Sequence, residues 1–177
     1  MNPGNANRLQ IKLMVALSPG VHLRMLSRLA GISLNATHYH ICNLEKDGEI
    51  VCWKEGGYLR AFPPWVADDR DRRIYALLHK KAARKILHAL NGAGSGTAAS
   101  VTNGAISDST GLSRSSVSEY LALFRSLQIA RRSTGLEGRF VFELDDSNKA
   151  HVFKILRTLE RNLMTKMTDN YMDLWEP

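Results

Sequence analysis

The chain has 177 residues, 44% of them hydrophobic, enough for one sizeable core or two small ones. Lysine and arginine number 24 against 17 acids, a formal net charge of +7 with a pI near 9.6, which points to a polyanionic partner and away from an enzyme for acidic substrates. Two cysteines exclude a disulfide framework, and the first apolar run, Ile11 to Leu17, is too short for a membrane span or a secretory leader and contains Lys12. The totals therefore predict a soluble, cytoplasmic protein.

Met1 to Ala6 is polar and small and is expected to fray. A first helix is predicted from about Asn7 to Leu17, with Leu9, Leu13, Val15 and Leu17 available for packing, and Ser18-Pro19-Gly20 stops it. His22 and Leu23 open the stretch that organises the rest. Leu23, Leu26, Leu29 and Ala30 recur at helical spacing, Gly31 breaks the run, and Ser33 stands where the cap of a second helix belongs. In that second helix, read as Ser33 to Asp47, Leu34, Thr37, Ile41 and Leu44 share a face, while Asn35, Ala36, His38, Tyr39 and Asn43 point largely elsewhere. Ile50 to Trp53 is strand-like, Gly56-Gly57 is a hairpin turn, and Tyr58 to Phe62 is the returning strand. A short helix, a glycine turn, a helix with a polar outer face and a hairpin read as a winged helix. Pro63-Pro64 can continue neither a helix nor a central strand, so the first domain is taken as residues 7–64.

Asp68 and Asp69 read as acidic first-turn residues of the next segment. Ile74, Leu77 and Leu78, then Ile86, Leu87 and Leu90, predict two helical stretches, continuous or bent near His79. Between Asp71 and Asp108 there is no acid, but Arg72, Arg73, Lys80, Lys81, Arg84 and Lys85 are present, as a solvated face or as phosphate contacts. Asn91 to Asn103 is glycine- and serine-rich and reads as a flexible loop. The opening pattern then returns at a constant offset of 80, pairing Gly31 with Gly111, Ser33 with Ser113, Ile41 with Leu121 and Leu44 with Phe124, which indicates an internal duplication. The second recognition-type helix is read as Ser113 to Leu127. Ile129 to Ser133, a turn from Thr134 to Gly138 and Arg139 to Leu144 repeat the hairpin, with Arg131, Arg132 and Arg139 set against Glu137 at its tip. This makes 68–144 the second domain.

A last helix, 146–173, starts at Asp145-Asp146-Ser147 and carries the stripe Val152, Ile155, Leu156, Leu159, Leu163, Met164 and Met167. Left in water, such a stripe invites pairing with a second copy, and a homodimer is the expectation; packing on its own body is the other solution. The fold class is thus mainly α with small β-hairpins (α+β): two tandem winged helix-turn-helix domains and a C-terminal helix.

The runs GISLNATHYHICNLEKDGEIV and GLSRSSVSEYLALFRSLQIARR each resemble the recognition-helix-to-wing segment of winged helix-turn-helix transcriptional regulators of the arsenical-resistance-repressor and multiple-antibiotic-resistance-repressor kind. Their tandem arrangement resembles two-domain regulators typical of archaea. The resemblance covers most of residues 8 to 144 and implies a double-stranded DNA-binding regulator associated with the nucleoid. It puts base contacts on Asn35, Ala36, His38, Tyr39 and His40, and on Arg114, Ser115, Ser116, Ser118 and Glu119. Ser33, Asn43 and Ser113 complete the two DNA-facing helices. Lys54, Arg60, Arg131, Arg132 and Arg139 are assigned to phosphates or the minor groove. Glu119 departs from the pattern, because an acid in the groove accepts only from a cytosine amino group.

Other chemistry finds less support. His38, His40 and Cys42 suggest a metal, but the four ligands of a structural zinc site are not assembled, and no metal or cofactor is expected. Cys42 and Cys52 could form a redox switch or be two buried thiols. The glycines of NGAGSGTAAS lack the strand, helix and lysine of a phosphate loop, and no nucleophile elbow is present, so no enzyme is expected. Trp53, Tyr58 and Phe62 read as packing residues rather than a base-stacking platform. The alternatives to a regulator are a winged-helix protein-interaction scaffold and an architectural DNA binder without sequence preference. The effector is unknown.

Overall fold

The computed structural model describes residues 3–92, 100–135 and 138–161. Among them the chain is mainly helical, with two small antiparallel sheets. It divides into two compact units. Residues up to His79, with 157–161, form the first, and 80–156 form the second.

The first unit runs α1 (Pro3–Leu17), β1 (Val21–His22), α2 (Leu23–Ala30), α3 (Leu34–Lys46), β2 (Val51–Glu55), β3 (Tyr58–Phe62) and α4 (Asp69–Leu78). Its caps follow from short-range chemistry. His22 Nδ1 accepts the Met25 N–H at the start of α2, Ser33 Oγ accepts the Ala36 N–H at the start of α3, and Asp68 accepts the Arg70 N–H at the start of α4. Gly31 ends α2 at φ 67°, a left-handed conformation that glycine enters without a Cβ penalty. Gly56 and Gly57, at φ 55° and 81°, close the two-residue turn between β2 and β3, the pattern that suits the twist of a hairpin. The sheet order is β1-β3-β2, with His22 opposite Arg60 and Trp53 opposite Arg60 on its other side.

The core lies between α1, α2, α3 and one face of the sheet, around Ile11, Val15, Val21, Met25, Leu26, Ile41, Leu44, Ile50 and Ala61. Burying a leucine or isoleucine of this kind is worth roughly 1.5–3 kcal/mol each. The other face of the sheet carries Trp53 and Phe62, whose rings meet edge to face at 6.3 Å. Phe62 packs beside Gly20 and Tyr75 of α4, so α4 completes the first unit.

The second unit repeats the order: α5 (Lys81–Gly92), β4 (Val101–Thr102), α6 (Asn103–Thr110), α7 (Arg114–Ser126), β5 (Ala130–Thr134), β6 (Phe140–Leu144) and most of α8 (Asp146–Arg161), in a sheet ordered β4-β6-β5. The offset of 80 is exact for β1/β4, α2/α6 and α3/α7. It also relates hydrogen bonds: Ser27 Oγ to the Ile32 carbonyl and Ser107 Oγ to the Leu112 carbonyl, both at 2.7 Å. The chain leaves α3 through Gly48 at φ 72° and leaves α7 through Gln128 at φ 55°, the same turn built once with glycine and once without.

Several expectations need correction. The first helix starts at Pro3, and Leu9, Leu13 and Leu17 lie on its exposed face, 50%, 53% and 47% accessible, while Ile11 and Val15 enter the core. Leu34 is exposed and His40 buried, because the inward face of α3 is Thr37, His40, Ile41 and Leu44. His22 is a strand residue and a cap. Val101-Thr102 is a strand, not loop; residues 93–99 of the glycine-rich stretch lie outside the described residues. The division into compact units falls after His79. Of the C-terminal stripe, Val152, Ile155, Leu156 and Leu159 are already buried within the single chain. Leu163, Met164 and Met167 lie outside the described residues.

Candidate nucleic-acid interface

The outer face of α3 presents Asn35, His38, Tyr39, Cys42 and Lys46 to solvent, with Tyr39 64% accessible. Its one acid, Glu45, accepts the Cys52 N–H at 3.1 Å and so ties the helix to β2. Ser33 is spent on the cap, and Ala36 and Asn43 are half-buried. His40 is 8% accessible, with its ring edge against Tyr39 at 5.5 Å, so its side chain belongs to the inner side of the helix.

On the hairpin, Lys54 and Glu55 are exposed. Arg60, expected to hold phosphate, is 8% accessible: strand alternation turns it to the side of Phe62 and Trp53, where Nη1 donates to the Gly20 carbonyl at 2.8 Å. Its Nε has no partner, and burial pushes its pKa down. This arginine holds β1 and the turn before it in place. It is not a surface cation.

A cleft of about 410 Å3 opens between the hairpin turn and the starts of α2 and α3, lined among others by His22, Arg24, Leu34, Gly56 and Tyr58. Sequence reasoning gave no role to His22, Arg24 or Arg28. The signal was faint, since two arginines on a short helix look like any solvated face.

In the second unit Arg114, Ser115, Ser118 and Glu119 are exposed. The serines are partly occupied: Ser113 Oγ meets Ser115 Oγ at 3.0 Å and Ser116 Oγ at 2.9 Å, and Ser118 Oγ accepts from Asn103 at 2.6 Å. The arginines of the second hairpin are engaged as well. Arg131 pairs with Glu143 at 2.9 Å and reaches Asp146 at 3.8 Å, and the Arg132 guanidinium lies 4.1 Å from the centre of the Phe140 ring. Arg139 is exposed, and Glu137 lies outside the described residues. The basic run before it is dispersed: Arg72 bonds Asp69 and the Val66 carbonyl, Lys80 lies over the Tyr120 ring, and Arg84 is buried.

His38 and Cys42 do meet, with Sγ 3.8 Å from either ring nitrogen, but no group of three or more potential metal ligands occurs among the described residues. Burial, then Glu45, pushes the Cys52 thiol up to about 12, which keeps it protonated and a poor nucleophile. Cys42 is exposed, so the two-buried-thiols alternative is corrected for it. No described helix is long and apolar enough to cross a membrane.

No family model and no curated protein matches the chain. It is similar to a solved structure described as a conserved hypothetical protein from Chlorobium tepidum, at 14% identity and a TM-score of 0.30, over 86% of this chain and 98% of that one. So loose a likeness carries no assignment.

Proposed function

We propose that the chain is a double-stranded DNA-binding transcription regulator of the cytoplasm and nucleoid, made of two tandem winged helix-turn-helix repeats. The observation that carries this reading is the outer face of α3: Asn35, His38 and Tyr39 are exposed, and the face's one acid is tied back to the hairpin. These side chains suit base edges in a major groove, where Asn pairs with adenine and a ring packs on a thymine methyl. Lys54 on the adjacent hairpin supplies a phosphate contact, and a net charge of +7 favours encounter with a polyanion. In the second repeat Arg114, Ser115 and the hairpin arginines Arg132 and Arg139 make backbone contacts, and Glu119 restricts base reading. The chain pairs as a homodimer through its C-terminal helix.

Selection of bound duplexes from a random library, followed by affinity measurements, tests the reading. Asn35→Ala and Tyr39→Ala should each lower binding to the selected sequence by roughly 1–3 kcal/mol and random-sequence binding much less. Equal losses on both would favour an architectural binder. Absence of duplex binding at low salt would favour an interaction scaffold, for which the exposed row Leu9, Leu13 and Leu17 is the specific supporting feature. A monomeric molar mass at micromolar concentration would remove the dimer.

A further inference from the structure

The outer faces of α3 and α7 share one geometry and differ in chemistry. On α3 the face is Asn35, His38, Tyr39 and Cys42, and the offset of 80 sets Ser115, Ser118, Glu119 and Ala122 in their places on α7, all eight exposed. The serines of α7 are partly occupied, Ser115 with Ser113 and Ser118 with Asn103. Arg114 is drawn aside: its Nη2 lies 3.6 Å from where a Cβ of Gly104 would stand, over the start of α6. Neither the Asn35 amide nor the Glu119 carboxylate takes part in a hydrogen bond or ion pair among the described residues. Glu119 is thus the one charged group on the face that replaces Asn35, His38, Tyr39 and Cys42.

Each base shows a fixed pattern in the major groove. Adenine shows an acceptor and an amino donor side by side, which a carboxamide, with one donor and one acceptor, meets in full. Thymine shows a methyl group, on which a ring packs. Cytosine shows an amino donor and no acceptor. It is the one base that a carboxylate, which only accepts, meets without repulsion, because N7 stands beside the amino group of adenine, and guanine and thymine show acceptors alone. We propose that the two repeats read different base pairs: Asn35 selects adenine and Tyr39 thymine in one segment of the operator, and Glu119 selects cytosine in another. The proposal rests on the DNA-binding reading above and gives it a base code. Asn35 and Tyr39 are four residues apart, about 6 Å of helix rise, so their two bases lie within about two steps of each other.

The test repeats the selection from a random duplex library with the full chain and its variants. Wild type should enrich duplexes that hold an adenine and a thymine close together and a separate fixed C·G pair. Asn35→Ala should release the adenine and Tyr39→Ala the thymine, with the cytosine kept. Glu119→Gln should move the cytosine to adenine, because a carboxamide replaces the carboxylate, and Glu119→Ala should leave that position open to all four bases. On the wild-type sequence, 7-deazaadenine removes the N7 acceptor and N4-methylcytosine the groove-facing amino hydrogen. Each should weaken wild type about twofold to tenfold and leave unaffected the alanine variant that has already lost the contact. Asn35, Tyr39 and Glu119 are exposed, so the variants should melt as wild type does, which separates these effects from unfolding. A cytosine kept through Glu119→Gln, or an adenine kept through Asn35→Ala, would overturn the code and leave the DNA reading standing. So would a wild-type chain that binds duplex but enriches no sequence. A chain that binds no duplex would overturn the DNA reading and the code with it.

Discussion

Replacing Arg60 by Met should leave DNA affinity and its salt dependence unchanged, whereas Lys54→Ala should reduce both. The two cations lie on paired strands and look equivalent in sequence, but Arg60 is 8% accessible and Lys54 is exposed. Met keeps the unbranched stem that packs on the Trp53 side of the sheet. The loss is one hydrogen bond from a charged donor, Nη1 to the Gly20 carbonyl, of about 1.5–3 kcal/mol. Against it stands relief of a desolvated cation whose Nε has no partner, about 1–3 kcal/mol. The two offset, so stability should stay within about 1.5 kcal/mol of wild type. Arg60→Ala removes the packed stem as well and should cost about 2 kcal/mol or more. Urea unfolding reads the stability, and fluorescence anisotropy on a duplex between about 50 and 200 mM salt reads the contact. The reasoning is refuted if Arg60→Met lowers the log–log salt slope by about 0.9, the loss expected for Lys54→Ala.

Two glycines at positive φ separate strain from collision. Gly20→Ala at φ 84° would place its Cβ 3.0 Å from Phe62 Cε1 and 3.3 Å from Tyr75 Cβ, whereas Gly48→Ala at φ 72° would meet nothing within 4 Å. Gly48→Ala should cost about 1–2 kcal/mol and Gly20→Ala about 1–3 kcal/mol more; equal midpoints in urea would show that Phe62 gives way freely. Gln128 holds the same turn in the second repeat at φ 55°, so Gln128→Gly should raise stability by up to about 1 kcal/mol, and a fall would mean that its side chain contributes more than its strain costs. His22 is lowered from 6.5 to about 4 by burial and then by Arg60, so between those pH values the unfolded chain binds a proton that the folded chain refuses. Stability should therefore fall as pH drops from about 6.5 to 4, and the slope in that window should flatten in His22→Gln, as measured by unfolding across the pH series.

The sequence by itself determined the local elements. Gly31 and Gly111, Ser33 and Ser113, Gly56-Gly57 and the helical spacing of Ile41 and Leu44 act through backbone dihedrals and hydrogen bonds a few residues apart, which can be read in order along the chain. The duplication was legible for the same reason, since turn, cap and core positions recur together. Tertiary structure alone decided which face each element turns inward. His40 is buried and Leu34 exposed, and Leu9, Leu13 and Leu17 lie outside while Ile11 enters, because neighbouring stripes on a helix are nearly equal until a partner element selects one. Arg60 is turned inward by a bond to Gly20, forty residues away, and Arg131 is partly neutralised by Glu143 across its own hairpin. The strands β1 and β4 are two residues long and exist only because β3 and β6 supply their hydrogen-bond partners. The cleft around Arg24 has the same origin: its walls come from three segments far apart in the chain, so no window of sequence contains it.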